Sequence, residues 1–305
     1  MKWELPLLVL AGIAAGPALA GIPKSWLRRL AGWLILAGLV TGADAVLTNC
    51  GPVLRMAGIC WVLLGGMKGL VYAEWARSDR LTPARYCVFS LLWFGMDPAV
   101  FRNRRTGLSW RSDVRAGLLM TLAGFAGAWL VWNMQWHQAF LMFLPLSLGF
   151  HFGVLRMLKG VLRFAGFPVR TLFPNVMSTR GVGDFWSRHW NVGYSQMMQR
   201  LVGRPVAALA GEDTGLMAVF VGSGILHELA ITLPVRSGFG MPTLFFTIHG
   251  LLTLLERKTG RPLGRIPTML ALILPLGLLF PPAFRNQVMA HCLSALAGGR
   301  VAGAF

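Results

Sequence analysis

The chain has 305 residues, 55% of them hydrophobic and only 13% charged. Soluble domains carry roughly a quarter charged residues, so this composition excludes an ordinary water-soluble fold and points to an all-α, polytopic integral membrane protein. The net charge of +18, from 29 Lys and Arg against 11 Asp and Glu, falls between the apolar segments, where the positive-inside rule and anionic headgroups account for it; no basic face of a soluble fold is left for nucleic acid.

The first segment, MKWELPLLVLAGIAAGPALAG, imitates a signal peptide, but Lys24, Arg28 and Arg29 follow at once and favour a retained helix. Apolar windows then recur near 5–22, 30–48, 53–73, 84–100, 115–133, 138–158, 214–233, 240–256 and 266–284. Each is about long enough to cross a hydrocarbon core of roughly 30 Å. Basic connections lie at 24–29, 77–85, 102–115, 156–204 and 257–265, whereas those near 49–52, 133–138 and 234–240 carry one arginine among them, Arg236. The window at 84–100 is flanked by basic loops on both sides and broken by Gly95, Asp97 and Pro98. It is therefore expected to be re-entrant or interfacial. About eight spans remain, with both termini on the non-cytoplasmic side, in one domain over 1–305.

The longest connection, 159–213, mixes Phe185, Trp186, Trp190 and Tyr194 with Arg180, Arg188, Arg200 and Arg204. Aromatics alternating with arginines suit a partly inserted helix at headgroup level; simple interfacial anchoring would look the same. His189 and Asn191 in FWSRHWN receive no chemistry from spacing alone.

The next window contains VGSGILHELAITL (221–233), which puts His227 and Glu228 side by side in hydrocarbon, where ionisable groups are costly and usually functional. A lone histidine can simply hydrogen-bond across helices. Ser223 one turn earlier, Gly222 and Gly224 permitting close backbone approach, and Glu228 as a second costly group all favour a site. Desolvation keeps such an imidazole neutral, the form a general base needs. His249 lies about 13 Å beyond the turn that His227 precedes by about 10 Å. The two are thus expected at similar depth on adjacent antiparallel helices, sharing a polar cavity with Glu228 bonded to His249, or with His249 merely packed against lipid. His137, His151 and His291 carry no distinguishing pattern. The four cysteines, Cys50, Cys60, Cys87 and Cys292, lack metal-site spacing, so neither a metal nor a structural disulfide is expected. G-x-S-x-G, Walker A, G-x-G-x-x-G and H-E-x-x-H are all missing. A catalyst here must use histidine without a protein nucleophile.

Two stretches together, MSTRGVGDFWSRHWNVGYSQMMQRLVGRPV and FVGSGILHELAITLPVRSGFGMPTLFFTIHG, with WFGMDPAVF upstream, resemble the wax-synthase branch of the membrane-bound O-acyltransferase (MBOAT) superfamily. The resemblance covers residues 90–255 or so. It implies an MBOAT-like fold with a central tunnel and transfer of a fatty acyl group from acyl-CoA, a co-substrate, to a lipophilic alcohol; no cofactor is implied. The family's histidine matches His227 and its second polar residue matches Asn191, while its aromatic-arginine element matches Phe185, Trp186, Arg188 and Trp190. The chain departs from the pattern at Ser187 and His189, where glycine and arginine are expected. Arg180, Arg188 and Arg200 are then candidate contacts for CoA phosphates. Ser223, Glu228 and His249 complete the expected substrate-binding set. The membrane is expected to be a bacterial inner membrane with the basic loops cytoplasmic. The rival readings are a proton-coupled transporter relaying through His227, Glu228 and His249, and a non-catalytic acyl-lipid-binding protein.

Overall fold

A computed structural model describes residues 3–134 and 139–289; His137, His291 and Cys292 lie outside the described residues. Among the described residues there is helix and irregular chain but no strand. Four helices are long and apolar enough to cross a membrane: α2 (Ser25–Val46), α3 (Pro52–Trp75), α5 (Arg111–Asn133) and α9 (Glu212–Val235). A fifth span results if α11 (Arg265–Leu279) and α12 (Pro282–Met289), bent by 76°, count as one. The remaining elements are α1 (Glu4–Ala20), α4 (Pro83–Leu92), α6 (139–164), α7 (182–189), α8 (192–210) and α10 (Met241–Thr259). The expected count of eight thus exceeds what length and composition support among the described residues. α1 is only 17 residues long, and α10 ends in Glu256, Arg257 and Lys258.

Contacts between loops sort the connections into two faces. Arg28 and Arg29 both pair with Glu74, at 2.9 and 3.0 Å, and Arg77 donates to the Pro23 carbonyl. Arg102 pairs with Asp79 at 2.6 Å, the Arg105 amide donates to Gly166, and the Gly264 amide to Arg180. The basic connections therefore gather on one side. On the other, Asp44 joins Arg55 (2.9 Å) to Arg236 (2.6 Å), bringing the 47–51 and 236–240 turns together. This is the grouping that the charges dictate.

Because Asp79 before α4 meets Arg102 after the break, the 83–101 segment enters and leaves on the same face. The break exposes carbonyls that hydrocarbon would leave unpaired. Lys68, fully buried on α3, donates to the carbonyls of Phe89 and Gly95 and lies 3.8 Å from the centroid of the Phe89 ring. One ammonium thus terminates the re-entrant helix.

Close backbone contact holds the bundle elsewhere. A Cβ on Gly12 of α1 would stand 2.8 Å from the Gly66 amide of α3, and one on Gly69 would strike the Gly12 carbonyl. Such small-residue seams are how helices associate without a hydrophobic drive between them. Several helices widen to π geometry near a proline: 148–154 after Pro145, 199–203 before Pro205 and 228–232 before Pro234. Proline cannot donate its amide and crowds the turn before it, which locates the breaks before Pro205 and Pro234.

Replacing Lys68 with Met strands two buried carbonyls at about 1–3 kcal/mol each. Lys68→Met is expected to lower the thermal midpoint of the detergent-solubilised protein by several degrees, and to open 83–101 to proteolysis ahead of global unfolding. An unchanged midpoint and digestion pattern would remove Lys68 from this role.

Candidate active site

α9 and α10 form an antiparallel hairpin through a turn with Arg236, Gly238 and Gly240 at positive φ. Gly224 lets α9 touch the α10 backbone, since a Cβ there would lie 2.6 Å from Thr243 Cα. Glu228 explains much of this contact. Its Oε1 accepts from both the amide and the hydroxyl of Thr243, at 3.0 and 2.9 Å, and Oε2 accepts from Thr232 at 2.6 Å. Thr243 is in the first turn of α10, so the carboxylate caps that helix and meets the positive end of its dipole. Glu228 is held by these groups rather than by His249.

His249 is fully buried, with Nδ1 2.8 Å from the Phe245 carbonyl and Nε2 3.2 Å from the Ala271 carbonyl. A neutral ring has one N–H to donate to one of these carbonyls, and its two contacts lie on α10 and α11. The rings of Phe245, Phe246 and Trp186 separate it from His227.

His227 is placed differently. Its Nδ1 lies 2.7 Å from the Ser223 carbonyl one turn earlier. A carbonyl can only accept, so Nδ1 carries hydrogen and the neutral ring presents Nε2 as a lone pair. Phe246 flanks the ring at 4.4 Å and Tyr194 at 6.0 Å, centroid to centroid.

His227 lines a cavity of about 650 Å³ together with Ser223, Trp186, Arg188, Trp190 and Asn191. These come from α7, the 190–191 turn that follows it, and α9, and the sequence reading had singled out all six. Arg188 and Arg257, whose side chains are 79% and 45% exposed, mark the end toward the basic face. Arg180, Arg200, Glu228 and His249 stand outside the lining. Tyr194, Gln199, Phe246, Thr253 and Arg257 belong to it and were not anticipated.

Asn191 occupies the left-handed region, φ 41°, which asparagine tolerates better than most residues. Its Oδ1 caps α8 by accepting from the Tyr194 amide at 3.3 Å, leaving its NH₂ free. Two more donors on the wall are unpaired: Trp186 Nε1 has no partner, and the Tyr194 hydroxyl lies toward the Ser223 side chain without the geometry of a hydrogen bond. Buried donors left in this way are costly unless a ligand meets them.

The aromatic-arginine element is anchored from α10. Glu256 accepts from the amides of Val182 and Gly183 at 3.0 Å each, and from Leu263 at 2.9 Å. His189 adds a second anchor, with Nδ1 2.9 Å from the Pro174 carbonyl and Nε2 3.2 Å from Asp184. From below, Gly193 packs on the backbone of Gly95 and Met96, so the re-entrant segment supports the Asn191 turn.

Residues 169–248, which hold Asn191, His227 and nearly the whole cavity wall, match the model of the membrane bound O-acyl transferase family. That match covers 80 of the chain's 305 residues. A stretch of 148 residues is 29% identical to the probable long-chain-alcohol O-fatty-acyltransferase 2 of Arabidopsis thaliana, covering 42% of this chain and 43% of that protein. A shorter stretch of 85 residues is 34% identical to the probable long-chain-alcohol O-fatty-acyltransferase 7 of the same plant, 24% of either chain. The chain thus spans less than half the length of these relatives. Their names agree with the wax-synthase-like branch expected from the motifs, and the apolar helices with an integral membrane protein.

Glu256→Ala removes an acceptor of three amides and is expected to lower the thermal midpoint, with local digestion in 180–190. Glu256→Gln, which keeps one acceptor oxygen, should fall between it and the parent. Equal behaviour of all three proteins would deny the anchor.

Proposed function

We propose that the protein is a membrane O-acyltransferase that moves a fatty acyl group from acyl-CoA to the hydroxyl of a lipophilic alcohol. The observation that carries this reading is the Nδ1 bond of His227 to the Ser223 carbonyl, which turns a lone pair on Nε2 toward the cavity shared with Asn191. In this mechanism Nε2 takes the proton of the acceptor hydroxyl as its oxygen attacks the thioester carbonyl. The tetrahedral oxyanion collapses, breaking the carbon–sulfur bond, and the imidazolium returns the proton to the departing CoA thiolate. The Asn191 NH₂ supports the oxyanion, and the unpaired Trp186 and Tyr194 donors are placed to bind the carbonyl or hydroxyl oxygens. Arg188 and Arg257 at the exposed end suit the phosphates of CoA, while the apolar wall suits the two chains. The names of the two plant relatives favour a long-chain alcohol as acceptor.

We place the basic face in the cytoplasm, where acyl-CoA is found. The plant origin of the relatives lends nothing to the bacterial inner membrane expected above. A proton relay through His227, Glu228 and His249 is disfavoured, since Glu228 caps α10 and both His249 nitrogens face carbonyls.

Purified protein incubated with radiolabelled acyl-CoA and long-chain alcohols should yield labelled ester. His227→Ala is expected to cut turnover by about 10²–10⁴-fold with unchanged yield and membrane insertion. Asn191→Asp keeps the capping oxygen and removes the NH₂, so kcat should fall by about 10²–10³-fold with folding retained. Full turnover in His227→Ala would refute the assigned base, and acyl-CoA binding without any ester in the parent protein would leave a binding protein instead.

A further inference from the structure

A second cavity, of about 210 Å³, lies behind the first and is not used by the mechanism above. Its polar lining is His151, Arg156, Lys159, Thr171 and Asn175, and Phe173 closes it on one side. The Trp190 ring stands between the two cavities, lining the larger one and touching Phe173 (4.9 Å) and His151 (5.4 Å) of the smaller.

The charges around this cavity do not balance. Asp113, on the first turn of α5, is buried and is shared by three cations of α6: Lys159 at 2.8 Å, Arg163 at 3.1 Å and Arg156 at 3.4 Å. Lys159 is itself buried, its ammonium held by Asp113 and by the Thr171 hydroxyl at 2.7 Å. One carboxylate among three fixed cations leaves a surplus of positive charge in a partly desolvated place, which is unfavourable unless an anion completes it. Spare donors are at hand. Arg156 uses only Nε toward Asp113, so its terminal nitrogens are free, and Lys159 retains a third N–H. A guanidinium fork, an ammonium and a hydroxyl around a pocket of this size match the tetrahedral oxygens of a phosphate.

We propose that this second cavity binds a phosphate group, through Arg156, Lys159 and Thr171, across the Trp190 ring from the acyl-transfer cavity. A phospholipid headgroup and a nucleotide phosphate present the same chemistry here. The site stands on its own charges and does not depend on the acyltransferase reading.

The test is calorimetric titration of the full chain in nonionic detergent. The probes are dihexanoylphosphatidylglycerol and adenosine 3′,5′-bisphosphate, with dihexanoylglycerol and adenosine as phosphate-free controls. Saturable binding that Arg156→Gln weakens is expected for one phosphate probe, with no binding of either control, and the probe so affected tells headgroup from nucleotide. Arg156→Gln, at the more exposed rim, should weaken that binding about tenfold to a hundredfold, the loss of a charged hydrogen bond. Arg261→Gln, an exposed arginine that lines neither cavity, should leave it unchanged. Binding of neither phosphate probe, or binding that Arg156→Gln leaves at full strength, would overturn the proposal.

Discussion

A polar group inside a hydrocarbon-bound bundle has no water to fall back on, so its partner must come from the chain. The ionisable side chains buried in this protein mostly answer that demand. Lys68 covers the two carbonyls freed where the re-entrant helix stops. Glu228 covers the start of α10, and Glu256 covers the start of α7 and the Leu263 amide. His249 bridges two helices between carbonyls. Each spends its polarity on a break in the helical ladder, and each break is where the chain must bend to shape the cavity.

The walls of the two cavities depart from that rule. In the larger one Trp186 Nε1, the Tyr194 hydroxyl, the Asn191 NH₂ and the Nε2 lone pair of His227 are not taken up by protein partners. In the smaller one three cations meet one carboxylate. Buried atoms without a partner occur elsewhere too, at Ser90 and Thr268, but the larger cavity gathers Trp186 Nε1 and the Tyr194 hydroxyl on one wall with the His227 lone pair. This contrast separates His227 from Glu228, adjacent in sequence and both costly to bury: Glu228 is consumed by capping, and His227 is held open.

Much of this was legible because hydropathy and charge act on the whole chain. The basic loops fall on one face, the 84–100 window turns back, and the α9–α10 hairpin forms, all from rules of side and length. Six cavity residues were also readable, from an ionisable group in an apolar run and from aromatic-arginine alternation. What stayed hidden is the identity of partners. Lys68 is one of two charges in the 53–73 window, with Arg55 near its start, a signal that was present, yet nothing in the sequence says that it meets Phe89 and Gly95. Glu256 reads as one more loop charge. Arg180 and Arg200 stand in the same aromatic-arginine stretch as Arg188, yet only Arg188 lines the cavity. The count of eight spans is not confirmed: among the described residues four helices, or five with the bent α11–α12 pair taken as one, are long and apolar enough, and α1 has only 17 residues.

The account turns on a single atom, Nε2 of His227, facing a substrate cavity rather than lipid. A cryo-EM structure of the protein with a non-transferable ether or ketone analogue of acyl-CoA tests this most directly. The account predicts the carbonyl mimic beside His227 Nε2 and the Asn191 NH₂, with the acyl chain along Phe220 and Phe246 and the nucleotide toward Arg188 and Arg257. An analogue bound with its reactive carbon away from His227, or a His227 ring buried against lipid in that complex, would contradict it.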